Sequence, residues 1–387
     1  MQGKKVFPPS DFGKNILSNR IGIRLLIMLM SLTALLVFAY KVSKAEDLLK
    51  GGEYLFDASI GYNYANVDDY RGKVGEYEYL HSSVEGSFDF QGNAQRQYLD
   101  LWGNYKNKND QQYLFDLDVS RIFQSETSYS RFIHYLDNDP LTNQDFYTDF
   151  EQGTNHSIIV QNIKSENTFR IPFIPNLQLN ADFRQLNRKG HKQATTVSHC
   201  TECHVTSKGK RVNQTTEYVD LGAEVTIKGV TFNYDYKQKS FHDSGDAPVA
   251  YYGSEGGDFP IRGFQEYSRV PDSKTSVNRF RGNAALPFRS SLHFDYQVGE
   301  TRNRDTDYER DFTSTAVQFS TASLKYVTFN FNYHDLDVDN NVPDAMEKDI
   351  TRRSVSFKTK PWKKNYLRGS YRWEDIDRRN ASPRTTR

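Results

Sequence analysis

Cysteine is almost absent from this chain. Cys200 and Cys203 are the only two among 387 residues. So few thiols exclude a disulfide-stapled scaffold. Methionine is scarce as well, with 4 residues, of which Met346 alone follows the first thirty positions. Long apolar runs are missing after residue 40, and mean hydropathy is −0.75, which excludes a helical membrane bundle. The net charge is only +1, and no basic patch argues for a nucleic-acid partner. No catalytic triad, carboxylate pair or phosphate loop is legible, and the chain is read as a non-enzyme. What the sequence has in quantity is aromatic: 25 Tyr and 26 Phe.

The two cysteines stand in Ser198-His199-Cys200-Thr201-Glu202-Cys203-His204. C-x-x-C followed at once by His is the attachment pattern of c-type haem. Two thiols at this spacing each form a thioether with one vinyl group of a porphyrin, and the adjacent His204 becomes the proximal iron ligand. One covalent haem c is therefore the leading expectation. A disulfide and a zinc site that borrows His191, His199 or His204 are the alternatives. For the distal iron position the candidates are His191, in the same loop, and His242, at the end of the next hairpin. Lys208, Lys210 and Arg211 follow the motif as candidate partners of the haem propionates, with an ordinary solvated loop as the competing reading.

Residues 25–40 form one apolar run, shorter than the ~20 residues of a spanning helix. Residues 1–45 carry seven Lys or Arg against Asp11 alone, and Ser43 and Ala45 are small residues placed for cleavage before Glu46. This predicts a secretory signal peptide over 1–45, with an uncleaved anchor as the alternative. Either way the remainder is exported, and haem c is attached on that side.

Beyond the leader, the sequence alternates. Val230, Phe232, Tyr234 and Tyr236 interleave with Thr231, Asn233, Asp235 and Lys237. Leu292, Phe294, Tyr296 and Val298 interleave with His293, Asp295, Gln297 and Gly299. Val327, Phe329, Phe331 and Tyr333 do the same with Thr328, Asn330, Asn332 and His334. Period two places one set on each face of a sheet. Short turns and longer connections take turns along the chain, as in outer-membrane barrels. The expected fold is all-β: a transmembrane antiparallel barrel over 46–387 with about fifteen strands. Connections are expected at 106–111, 136–165 and 188–213, the last being the haem-bearing outer loop. Fifteen is odd, and the polar tail lacks a terminal aromatic, so the sequence is read as truncated at its C-terminus.

The segment 54–150 carries Gly75-Glu76-Tyr77-Glu78-Tyr79-Leu80, then alternating strands with acidic polar-face residues, then Leu136-Asp137-Asn138-Asp139-Pro140-Leu141. In this the chain resembles the barrel component of porin–cytochrome electron conduits, the MtrB/PioB-like group of outer-membrane proteins. The classical members leave the haems to a partner, so the C-x-x-C-H motif sets this chain apart. The resemblance implies a barrel in the cell outer membrane that sheathes a periplasmic multihaem c-type cytochrome, with an outer-surface cytochrome as a further partner and membrane lipid around it. Its implied function is electron transfer across the outer membrane. A general diffusion porin and a haem-dependent surface enzyme are the alternatives.

Overall fold

In the computed structural model the described residues are 52–68, 74–78, 80–94, 96–144, 146–152, 154–174, 176–197, 204–252, 263–306, 308–324, 326–340, 346–362 and 365–380. The signal peptide expected over 1–45 lies outside them, as do Cys200 and Cys203. The chain divides into two compact units, Met1–Tyr54 with Gly92–Gln95, and Leu55–Gln91 with Arg96–Arg387. Only 52–54 and 92–94 of the first are described, and the second is the subject below.

The described residues are all-β, and their main sheet is an antiparallel meander. The strands are β1 (Glu53–Asn63), β2 (Ser83–Ala94), β3 (Gln97–Asn107), β4 (Asp110–Val119), β5 (Phe123–Leu136), β6 (Tyr147–Asp149), β7 (His156–Arg170), β8 (Leu177–Val197), β9 (Val205–Ile227), β10 (Val230–Asp243), β11 (Val249–Tyr252), β12 (Gly263–Glu266), β13 (Ser273–Leu286), β14 (Ser290–Asn303), β15 (Glu309–Leu324), β16 (Val327–Asn340), β17 (Met346–Trp362) and β18 (Asn365–Asn380). Fifteen of them pair in sequence order from β1 to β18; β6 joins β9 off this path, and β11 with β12 forms a separate pair. Among the described residues no pairing links β18 back to β1. No described helix is long and apolar enough to cross a membrane, which says nothing about strands.

The turns sort as the sequence implied. One edge of the sheet has tight turns, such as Lys228 (φ 49°) and Gly229 (φ 84°) between β9 and β10. Both positions need positive φ in a two-residue hairpin of this twist, and glycine adopts it without a Cβ penalty. The other edge carries the long connections 64–82, 137–155 and 244–272. Three sequence expectations change. Residues 108–109 are a tight turn in place of a longer loop. The strand expected from 166 begins ten residues earlier, at His156. The loop expected over 188–213 is mostly strand, since β8 runs to Val197 and β9 starts at Val205.

The apolar set does not close over a core. Phe232 is 54% exposed, Phe294 39%, Phe331 40% and Tyr371 60%. Register stacks these residues across strands: Phe232 opposite Gly282, Gly282 opposite Phe294, Phe294 opposite Val317. The result is a continuous aromatic belt with no second sheet against it among the described residues. A soluble protein rarely leaves such an area bare, whereas a barrel turns it to lipid. The belt hugs the tight-turn edge. On β16 it runs from Val327 to Tyr333, about 20 Å of strand, and then the same face turns acidic at Asp335, Asp337 and Asp339.

The opposite face is polar and internally bonded. Arg279 Nε donates to Asp295 Oδ1 at 3.0 Å, Arg281 meets Asp235 at 2.7 Å and Lys237 meets Asp220 at 2.7 Å.

Candidate haem-attachment site

β8 and β9 are the longest strands, at 21 and 23 residues, where the rest of the meander uses 10–17. The excess projects. β7 accompanies β8 only as far as the pair Ser157–His191, and β10 accompanies β9 only from Gln214. Beyond those points neither β7 nor β10 follows, and the two strands continue to pair with each other from Lys192–Lys210 to Val197–Val205. Gly190 sits where β8 parts from β7. A Cβ there would lie 2.0 Å from the Ser157 carbonyl oxygen, so only glycine permits the close approach. From Phe183, the last belt residue on β8, to Val197 is about 45 Å along the strand.

Residues 198–203, which follow β8 in sequence and include Cys200 and Cys203, lie outside the described residues. Of the C-x-x-C-H motif itself only His204 is described. Its Nε2 lies 2.9 Å from Thr148 Oγ1. Thr148 belongs to β6, which pairs in parallel with β9, Tyr147 with Val205 and Asp149 with Ser207. The Val205 amide donates to the Phe146 carbonyl at 3.0 Å, and the Phe150 amide to the Ser207 carbonyl at 3.2 Å. Side chains reinforce the strap. Ser207, fully buried, donates to Asp149, and the Gly209 amide donates to Glu151 Oε1 at 2.5 Å. β6 thereby covers an edge that would otherwise expose unpaired amides.

The connection 244–272 supports the hairpin too. Ala194, Ala250 and Tyr267 form a small buried cluster with Tyr252 against it. Tyr252 and Thr196 share a hydroxyl contact of 2.7 Å, and Tyr267 donates to the Ala194 carbonyl at 3.3 Å. Burial pushes the Tyr267 hydroxyl up to about 12, with Tyr252 and Glu151 adding to the effect, so it remains a donor throughout the physiological range.

The three basic residues after the motif are already engaged. Lys208 donates to the Val249 carbonyl at 2.6 Å and lies 5.6 Å above the Phe150 ring. Lys210, 1% exposed, donates to the Ser268 carbonyl and lies 3.9 Å from Asp243. Arg211 meets Asp246 at 3.1 Å. They act as struts between loop and hairpin, and the propionate role gives way to that reading. His191 pairs with Arg211, seven positions after His204 and about 23 Å away along the strand. His242 pairs with Thr215, about 35 Å from the level of His204, and its Nδ1 meets Asp272. The hairpin as folded therefore brings neither candidate distal ligand to His204.

Sequence reasoning missed His156, which anchors the strap. It is 3% exposed, with Nε2 3.2 Å from Glu151 Oε2. Burial lowers its affinity for a proton; Glu151 opposes that shift and His191 adds to it. The folded state then binds fewer protons than the unfolded state below the ordinary histidine value of 6.5. Stability rises with pH wherever the unfolded state binds more protons, so the strap weakens as pH falls through that value. Protection factors of the amides in 137–155, corrected for intrinsic exchange, are expected to fall below about pH 6.5, and His156→Gln to flatten the dependence. Equal protection at pH 5 and pH 8 would refute the assignment.

No family model and no curated protein matches this chain. Among solved structures it is similar to OmpT, an outer membrane protein of Vibrio cholerae. A loop L8 deletion form matches with TM-score 0.27 and 10% identity over 83% of this chain and 99% of that one. The in-vitro folded form matches with TM-score 0.27 and 9% identity over 74% of this chain and 86% of that one.

Proposed function

We propose that this chain is an outer-membrane β-barrel that sheathes a multihaem c-type cytochrome and carries one covalent haem c of its own, for electron transfer across the outer membrane. The observation that carries the reading is the projecting hairpin. It sets His204, the last residue of the C-x-x-C-H motif, far beyond the aromatic belt, on the edge that also bears the long connections, and two of those connections brace it.

The residue types fit haem c. Cys200 and Cys203 would supply the thioethers and His204 the proximal nitrogen, and a bound haem there would supply one-electron chemistry. Thr148 holds the same His204 nitrogen that iron would take, so that contact gives way on ligation. The strap around Asp149, Glu151 and His156 then keeps the strand carrying His204 in place. Because His191 and His242 lie at other levels, a sixth ligand would come from outside the hairpin. The bare polar face fits a hydrated protein occupant better than a small substrate.

Co-expression with the periplasmic cytochromes of the same cell, in a host that matures haem c, tests the sheath. Extraction in mild detergent is expected to recover a second, multihaem band with this chain. Liposomes holding the pair should pass electrons from an outside reductant to an enclosed dye. A protein that purifies alone and passes only solutes would favour a general diffusion porin; turnover of peroxide or nitrogen oxides at a five-coordinate haem would favour a surface enzyme.

A further inference from the structure

The polar face is not uniformly charged, and register shows how. Asp100 on β3 stands opposite Asp116 on β4, and Asp116 opposite Glu126 on β5. The row continues through Glu126–Glu166, Glu166–Asp182 and Asp182–Asp220 before Lys237 meets it on β10. Six consecutive strands of the meander thus place a carboxylate at one level. Like charges directly opposite oppose pairing. Lys164 answers Glu166 at 2.7 Å and Lys237 answers Asp220 at 2.7 Å. Asp116 and Glu126 have no ion-pair partner among the described residues, and Asp100 Oδ1 is shielded from solvent without a hydrogen bond.

The far end of the sheet has the opposite sign. On the same face, Lys358 stands opposite Arg368, Arg352 opposite Glu374, and Ser354 opposite Arg372. Arg352 is taken by Glu374 at 2.6 Å. Arg368 and Arg372 are exposed and have no ion-pair partner among the described residues. The strands between are neutralised in pairs, Arg281 with Asp235 and Arg279 with Asp295. A face meant only to be wet needs no such sorting. Segregated charge instead fixes the orientation of what lies against it, because potentials across an interface are complementary.

We infer that the polar face docks a protein of bipolar surface, with a lysine- or arginine-rich strip along β3–β8 and an aspartate- or glutamate-rich strip along β16–β18. This rests on the sheath reading for its occupant and adds the occupant's chemistry and its rotational setting.

Fluorescent oligo-lysine and oligo-glutamate serve as probes of the protein in detergent, read by anisotropy at low salt. The variant Asp116→Asn/Glu126→Gln/Asp182→Asn is expected to bind oligo-lysine about tenfold more weakly and oligo-glutamate no worse. Arg368→Gln/Arg372→Gln is expected to do the reverse. Asp337→Asn/Asp349→Asn removes charge from the opposite face and is the control, expected to change either affinity less than threefold. Heat-modifiable gel mobility identifies any variant that has not folded, and the remaining single substitutions of each set then carry the comparison. Equal losses in the control and the polar-face sets would overturn the inference even if a cytochrome co-purifies. Discrimination by the probes without any cytochrome would sink the sheath reading and leave the bipolar face standing.

Discussion

Cys200→Ala is expected to remove the haem. In a host that matures cytochromes c, the wild-type band should stain for haem in a denaturing gel and show the absorption of low-spin haem c. The variant should lose the stain, because covalent attachment needs both thioethers in register with one porphyrin. Cys203→Ala should behave alike. The barrel should still fold and reach the membrane, since the strands that carry the belt make their pairings without residues 198–203. Two other outcomes are distinguishable. A disulfide between the two thiols would leave the wild type unstained and block alkylation until reduction. A zinc site would give metal on elemental analysis, and among the described residues His191 does not stand ready to join it. His191 pairs with Arg211, well below His204, and a closed site needs four donors within about 2.3 Å of one ion. An unstained wild type with freely reactive thiols would sink all three readings.

The meander was legible because its strands alternate. Leu292 to Val298 and Val327 to Tyr333 repeat apolar and polar positions, and β14 and β16 form there. The sorting of short and long connections was legible for the same reason, as gaps between alternating runs. What escaped was every strand that lacks that contrast. The start of β7 reads Ile158-Ile159-Val160, apolar on both faces, so its beginning was taken as loop. The outer halves of β8 and β9, such as Arg188-Lys189-Gly190-His191-Lys192, are polar on both faces, because their neighbours there are polar struts from the connections and not an apolar layer. Period two reports a difference between faces; where the faces are alike it is silent. The strap was hidden for another reason. Thr148, Asp149 and Glu151 act on residues more than fifty positions away, through a parallel pairing that no local pattern encodes. The carboxylate row was half visible: each acid stood out along its own strand, but their alignment is a property of register.

Phe294→Arg is the substitution expected to cost most in the barrel wall. Phe294 lies on the aromatic belt, flanked in register by Gly282 and Val317, and is 39% exposed. If lipid covers it, an arginine there costs about 2–4 kcal/mol near the midplane. If water covers it, the same change is a surface substitution worth roughly 0.5 kcal/mol or less. The two readings differ several-fold, and urea unfolding from lipid vesicles resolves them. Gln297→Arg supplies the internal comparison. Gln297 stands on the polar face beside Asp295, 3.3 Å from its Oδ1, where a second cation meets a carboxylate and water, and the expected loss is about 0–1 kcal/mol. Phe294→Leu keeps an apolar surface and should cost under about 1.5 kcal/mol. A loss confined to Phe294→Arg marks the belt as lipid-facing. Comparable small losses in all three would mean that the exposed aromatics meet something other than hydrocarbon, and the membrane reading of the fold would have to be abandoned with them.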